Sequence, residues 1–288
     1  MQKTEEPDWI YEISPKRSLL ELNFAEIWRY RDLLTLFVKR NVVTVYKQTI
    51  LGPLWFLIQP LLTTLTFTLI FNTVAGVETL GVPNFLFNLA GVSLWNYFKE
   101  CLTTTSSTFV TNQNLFGKVY FPRVIMPMST VISNIVKYII QLFIFIVFYC
   151  YYIFAGEHNF GVNVTLLFFP FLLIAMALLG LGLGMILSSL TTKYRDMSFL
   201  ITFGVQLLMY VSAVMYPLAF LIEKAPEYAW LVKYNPLALI VETFRYMVFS
   251  NGTFSYVSLF ASFGISIFIF LVGLIIFNRT EKSFIDTV

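Results

Sequence analysis

Long apolar runs separated by short polar segments dominate the chain, and six of them are long enough to cross a bilayer. They cover about 54–77, 84–110, 124–154, 164–190, 198–216 (closed by Pro217) and 255–277. Roughly 20 apolar helical residues bridge a hydrocarbon core about 30 Å thick. The pattern ahead of the first run is different. Ser18 with Glu21 makes a capping box, and Leu20, Phe24, Ile27 and Leu34 recur at near-helical spacing. Trp28, Arg29, Arg31, Lys39 and Arg40 add an interfacial aromatic and a basic face, so the segment predicts an amphipathic helix at the membrane surface. A helix resting on anionic lipid and a docking surface for a cytoplasmic partner fit this pattern equally well. Between runs five and six, 218–254 is too apolar for a solvated loop. Asn235-Pro236 predicts a turn between two short apolar pieces, a re-entrant pair buried against protein. The expected layout is a tail at 1–17, an amphipathic helix and joint at 18–50, and a six-span bundle at 51–288 with a polar loop at 111–123.

Charge orients these elements. Of nineteen Lys and Arg, fourteen lie on the side of the N-terminus and three (Lys224, Lys233 and Arg245) on the other, with Lys99 and Lys137 inside runs. Positive residues stay cytoplasmic, so both termini are expected inside, and moving the span count by one would scramble the sorting. With 58% hydrophobic and 12% charged residues, about half the charge of a soluble domain, the expectation is an all-α integral membrane protein. The net charge of +3 is spread over membrane-flanking loops and gives no reason to expect nucleic acid. Cys101 and Cys150 sit in apolar stretches far apart, which argues for free thiols. His158 is the only histidine, leaving little material for metal or triad chemistry. The polar, acidic start shows no cleavable signal.

No nucleotide-binding loop is present: Gly117-Lys118 has Asn112 where the upstream glycine would stand and Val119 after it. Paired-carboxylate, HExxH and GxSxG patterns are also missing, so no catalytic residues, metal or cofactor are expected. Intramembrane charge is the remaining chemical signal. Glu100 in run two and Lys137 in run three are nearly equidistant from Gly117 at the centre of the intervening loop, which predicts an ion pair across two antiparallel helices. Gly180, Gly182 and Gly184, followed by Ser188, form a small-residue row for close helix contact, within one chain or between two copies. Phe85, Phe87, Trp95, Tyr97 and Phe98 suggest a belt of mostly lipid-facing rings.

Five segments in order carry a family resemblance. They are 46–60 with Gly52-Pro53 and Gln59-Pro60, 89–98, 112–123, 193–197, and a last group formed by Tyr216-Pro-Leu, Tyr234-Asn-Pro-Leu and Glu242-Thr-Phe-Arg245. On these motifs the chain resembles the permease subunits of bacterial polysaccharide ABC exporters, the type-two family of O-antigen, capsule and teichoic acid translocators. The resemblance implies two copies paired with two cytoplasmic ATPase subunits that carry MgATP, in the bacterial inner membrane. Its implied cargo is a polysaccharide on undecaprenyl diphosphate. The coupling contacts it implies are Asn114, Leu115, Phe116, Gly117, Lys118, Tyr120, Phe121 and Arg123, with Lys193, Arg195 and Asp196 as a second contact. Candidates for the conduit and gate are Tyr46, Lys47, Trp55, Gln59, Trp95, Lys99, Glu100, Lys137, Tyr210 and Tyr216. Lys99 and Glu100 depart from the small polar residues usual in the family. A drug or small-lipid exporter would share this topology. An ion-coupled transporter would use Glu100 and Lys137 directly, and a membrane-embedded glycosyltransferase would need an acidic cluster that the chain lacks.

Overall fold

The computed structural model describes residues 24–47, 52–119, 121–156, 160–194, 196–252 and 254–285. The capping box at Ser18 and Glu21, the tail at 1–17, Tyr120, His158, Arg195 and the Tyr46 side chain lie outside them. Among the described residues every regular element is helical. The amphipathic segment forms α1 (Phe24–Arg29) and α2 (Arg31–Lys47), joined by continuous backbone hydrogen bonds through Tyr30. A short 3-10 turn (Gly52–Leu54) leads into α3 (Trp55–Phe67). Gly52 has φ +49°, a left-handed conformation that costs other residues about 1–2 kcal/mol, so the break expected at Gly52-Pro53 falls on the residue that tolerates it.

Among the described residues, four helices are long and apolar enough to cross a membrane: Trp55–Val74, Ile125–Phe154, Val164–Lys193 and Tyr256–Glu281. They correspond to runs one, three, four and six. The first is α3 continued by a π-helical stretch (Thr68–Val74), where Asn72 donates to Val77 O at 2.8 Å and accepts from Asn88 at 2.7 Å. The backbone bonds of the wider turn run i→i+5, as from Ala75 N to Ile70 O at 2.9 Å, and the side-chain bonds add to them. Helices α7 (Ile125–Phe154), α8 (Phe169–Lys193, after a 3-10 turn Val164–Phe168) and α13 (Tyr256–Ile285) supply the others.

The other two runs depart from expectation, each for a physical reason. Run two becomes α4 (Asn84–Ser106), long enough to span but rich in polar residues. It packs against α3, α7, α8 and α12 (Pro236–Phe249), so protein instead of lipid surrounds most of it. Phe87, Trp95, Tyr97 and Phe98 are accordingly buried, which corrects their reading as lipid-facing rings. Run five becomes α9 (Met197–Val211), which ends five residues before the apolar stretch does. Its chain leaves the helix at Ser212, and Ala213 adopts φ +52°. Carbonyls released there are taken by side chains distant in sequence: Asn235 Nδ2 donates to Val211 O, and Arg245 to Ala213 O and Val214 O.

The segment after Pro217 is not a pair of equal halves. Its first half is α10 (Leu218–Lys224), a 3-10 turn (Pro226–Tyr228) and α11 (Ala229–Lys233), largely exposed. Its second half, α12, is buried along most of its length, with Asn235 capping its first turn. The row of glycines works within one chain. A Cβ on Gly184 would meet Thr105 Cβ of α4 at 2.5 Å, and one on Gly182 would meet the Phe270 backbone of α13 at 2.7 Å. Alternate glycines therefore seat α8 against two different helices.

Candidate functional site

Two constellations stand out, one inside the bundle and one at its basic end. The inner one begins with the expected ion pair: Lys137 Nζ lies 3.1 Å from Glu100 Oε2, and both side chains are half-buried. The pair borders a cavity of about 70 Å³ between α3, α4 and α7. Helix α4 contributes Asn96, Tyr97, Lys99 and Glu100, and α3 contributes Phe56, Gln59 and Pro60. From α7 come Asn134, Lys137, Tyr138 and Gln141. These last four lie at i, i+3, i+4 and i+7, one stripe along α7. That periodicity was available in the sequence, and it is the signal that would have added Asn134, Tyr138 and Gln141 to Lys137. Of the conduit candidates, the structure gathers Gln59, Lys99, Glu100 and Lys137 here. Trp95 is packed in the core against Phe98, while Lys47 and Trp55 are exposed nearer the basic end. Tyr216 and Tyr210 form a separate group, with Tyr216 Oη donating to Tyr210 O at 2.6 Å.

At the basic end, α5 (Thr108–Thr111) and α6 (Gln113–Phe116) form a knob on the end of α4. Asn114, Gly117 and Lys118 are exposed, Leu115 is half-buried, and Phe116 and Phe121 are buried. Phe277 of α13 stacks on Phe109 at 4.6 Å. Phe109 leads through Phe116 and Phe121 to Phe37 of α2 by ring contacts of 5.7–5.9 Å. Arg123 lies 5.1 Å over Phe116 and donates to Glu281 O at 3.3 Å. Burial pulls the Arg123 guanidinium below its ordinary range, and Glu281 opposes the shift. Phe116, Phe121 and Arg123 thus point into the chain's own bundle, leaving Asn114, Gly117, Lys118, Lys193 and Asp196 as exposed members of the coupling set. Trp28, Arg29, Arg31, Lys39 and Arg40 are exposed on α1 and α2, with Arg31 5.5 Å over Trp28 and Arg40 4.9 Å over Phe37.

Glu242 and Arg245 belong to a third arrangement that sequence reasoning placed in a motif without a role. Arg245 is 1% exposed, lies 3.6 Å over the Phe87 ring, and donates to Ala213 O at 2.7 Å and Val214 O at 2.6 Å. Glu242 accepts from the Leu218 amide at 2.9 Å and lies 3.6 Å from Arg245. The pair pins the turn at 212–218 to α12 and α4. Gly91 of α4 leaves the needed space, since a Cβ there would meet Val214 O and the guanidinium.

A family model described as "ABC-2 type transporter" matches residues 32–249. Two Klebsiella pneumoniae proteins named O-antigen export system permease protein RfbA are each 27% identical to this chain, over 256 and 259 residues. Each alignment covers 88% of this chain and 94% of the relative. A Myxococcus xanthus protein of the same name is 23% identical over 264 residues, covering 91% and 98%.

Proposed function

We propose that this chain, which belongs to the ABC-2 type transporter family, is the membrane subunit of an ATP-driven exporter of O-antigen. As a multi-pass membrane permease of that family it works with an ATPase subunit and is not itself the ATPase. The observation that carries the cargo assignment is the near full-length similarity to three permeases named for O-antigen export. In the finer reading, two copies pair with two ATPases in the bacterial inner membrane. Six spans then place both termini in the cytoplasm, with α4 and α9 completing the set begun by the four long apolar helices. The cargo is a polysaccharide carried on undecaprenyl diphosphate.

The arrangement at the basic end supports a division of labour. Exposed Asn114 and Lys118 meet the ATPase, while the buried Phe116, Phe121 and Arg123 transmit its movement to α2 and α13. The second contact is made by exposed Lys193 and Asp196. The test is co-reconstitution with the partner ATPase in proteoliposomes. Asn114→Glu with Lys118→Glu should leave the bundle folded and ATP hydrolysis running, yet abolish export. Full export by the double variant would remove this knob from the coupling path.

A further inference from the structure

The turn that follows α9 satisfies its carbonyls but not its amides. Val211 O accepts from Asn235 at 3.2 Å, and Ala213 O and Val214 O accept from Arg245 at 2.7 and 2.6 Å. The amides of Ala213, Val214, Met215 and Tyr216 find no acceptor among the described residues. Three of the four belong to buried residues, Ala213, Val214 and Met215. A buried N–H without an acceptor is costly and rare. Ala213 adds strain, because it holds φ +52° one position after the helix cap Ser212, where glycine is the usual residue.

A second arrangement of the same residues removes both costs. Continued as an α-helix, the chain would pair the amides of Ala213, Val214 and Met215 with the carbonyls of Met209, Tyr210 and Val211, four residues back. The stretch Ser212-Ala-Val-Met-Tyr216 holds no glycine or proline to resist this. Pro217 sets the limit, since the residue before a proline avoids the α conformation. Length favours the extension too. The fifteen residues of α9 span about 22 Å, short of a hydrocarbon core about 30 Å thick, and a helix continued through Met215 spans about 28 Å. Against it stand the bonds of the unwound turn. Arg245 would give up the Ala213 and Val214 carbonyls and keep Glu242 and the Phe87 ring. Each arrangement satisfies backbone groups that the other leaves open, which is the condition for two states close in energy.

We propose that the end of α9 is a two-state switch, unwound from Ser212 in this structure and helical to Met215 in its other state. Arg245 and Asn235 hold the unwound form. Pro217 joins this stretch directly to α10, so the largely exposed segment from α10 to α11 is repositioned when the helix extends. A role for that movement in releasing cargo rests on the export reading above; the switch itself does not.

The experiment is a spin-label distance measurement on the purified full chain in lipid nanodiscs. Labels sit at Phe199→Cys on α9 and Lys224→Cys on α10, both exposed, with exposed Cys150 changed to Ser and buried Cys101 kept. Dilution with unlabelled chain restricts the reading to distances within one chain. This background should give two distances. Ala213→Gly removes the left-handed strain and weakens the helix, so it should move the population toward the unwound form about tenfold. Asn235→Ser keeps a capping oxygen for α12 but loses the amide that holds Val211 O, so it should move the population the other way. A shift by either variant in its stated direction upholds the switch. Populations that neither variant moves overturn it, whether one distance is seen or two. No ATPase or glycan takes part, so a negative result here leaves the coupling test untouched.

Discussion

Charged residues within apolar runs do two different jobs in this chain. Glu100 and Lys137 were legible as a pair because their loop spacing puts them at one depth, and they meet at 3.1 Å. Being half-buried, the pair is worth little on its own. A double-mutant cycle by thermal unfolding should give a coupling energy of about 1 kcal/mol. Exchanging the two residues in one variant should recover what Glu100→Lys alone loses. Arg245 is the opposite case. Its motif was visible, but its carbonyl partners Ala213 and Val214 exist as acceptors only because α9 stops early. No local pattern encodes that stop, since the run itself stays apolar to Pro217. Replacing Arg245 by Met leaves Glu242 and two carbonyls without their partner and should cost about 3–5 kcal/mol. The loss would be read as a fall in Tm of the purified protein. An unchanged Tm would mean that the turn at 212–217 holds itself.

Helix contacts explain why element positions were easier to read than their partners. The glycine row of α8 announced close packing, while the alternation between α4 and α13 needed the three-dimensional contacts. Gly182→Ala and Gly184→Ala should each destabilise the bundle by about 1–3 kcal/mol, because backbone or a branched Cβ must move. Gly264→Ala in α13 meets nothing within 4 Å and should be neutral or slightly stabilising in the same assay. Equal losses at all three sites would show that helix flexibility, not contact, sets the requirement. The joint at Gly52 makes a separate claim. Its positive φ limits the folding cost of Gly52→Ala to about 1–2 kcal/mol. Export by Gly52→Ala, Pro53→Ala should fall far more than its expression does, if the bend between α2 and α3 carries motion. Hydropathy found the break, and the export measurement tests the motion assigned to it.

At the scale of the molecule, basic residues sort to one end of the bundle, and that end holds the structure most suited to receiving force. Phe277, Phe109, Phe116, Phe121 and Phe37 connect the last helix, the knob and the amphipathic helix through ring contacts. The sequence marked the knob and α2 separately. It did not mark α13, because Phe277 reads as one more apolar residue at the end of a span. On the proposed function, this chain moves a lipid-linked polysaccharide only when its basic end engages an ATPase. The most direct measurement is transport of a labelled lipid-linked O-antigen in proteoliposomes containing the chain with and without the partner ATPase. Transport should need both proteins and ATP, and should be lost with Asn114→Glu, Lys118→Glu while hydrolysis continues. Transport by the chain alone, driven by an ion gradient, would contradict it.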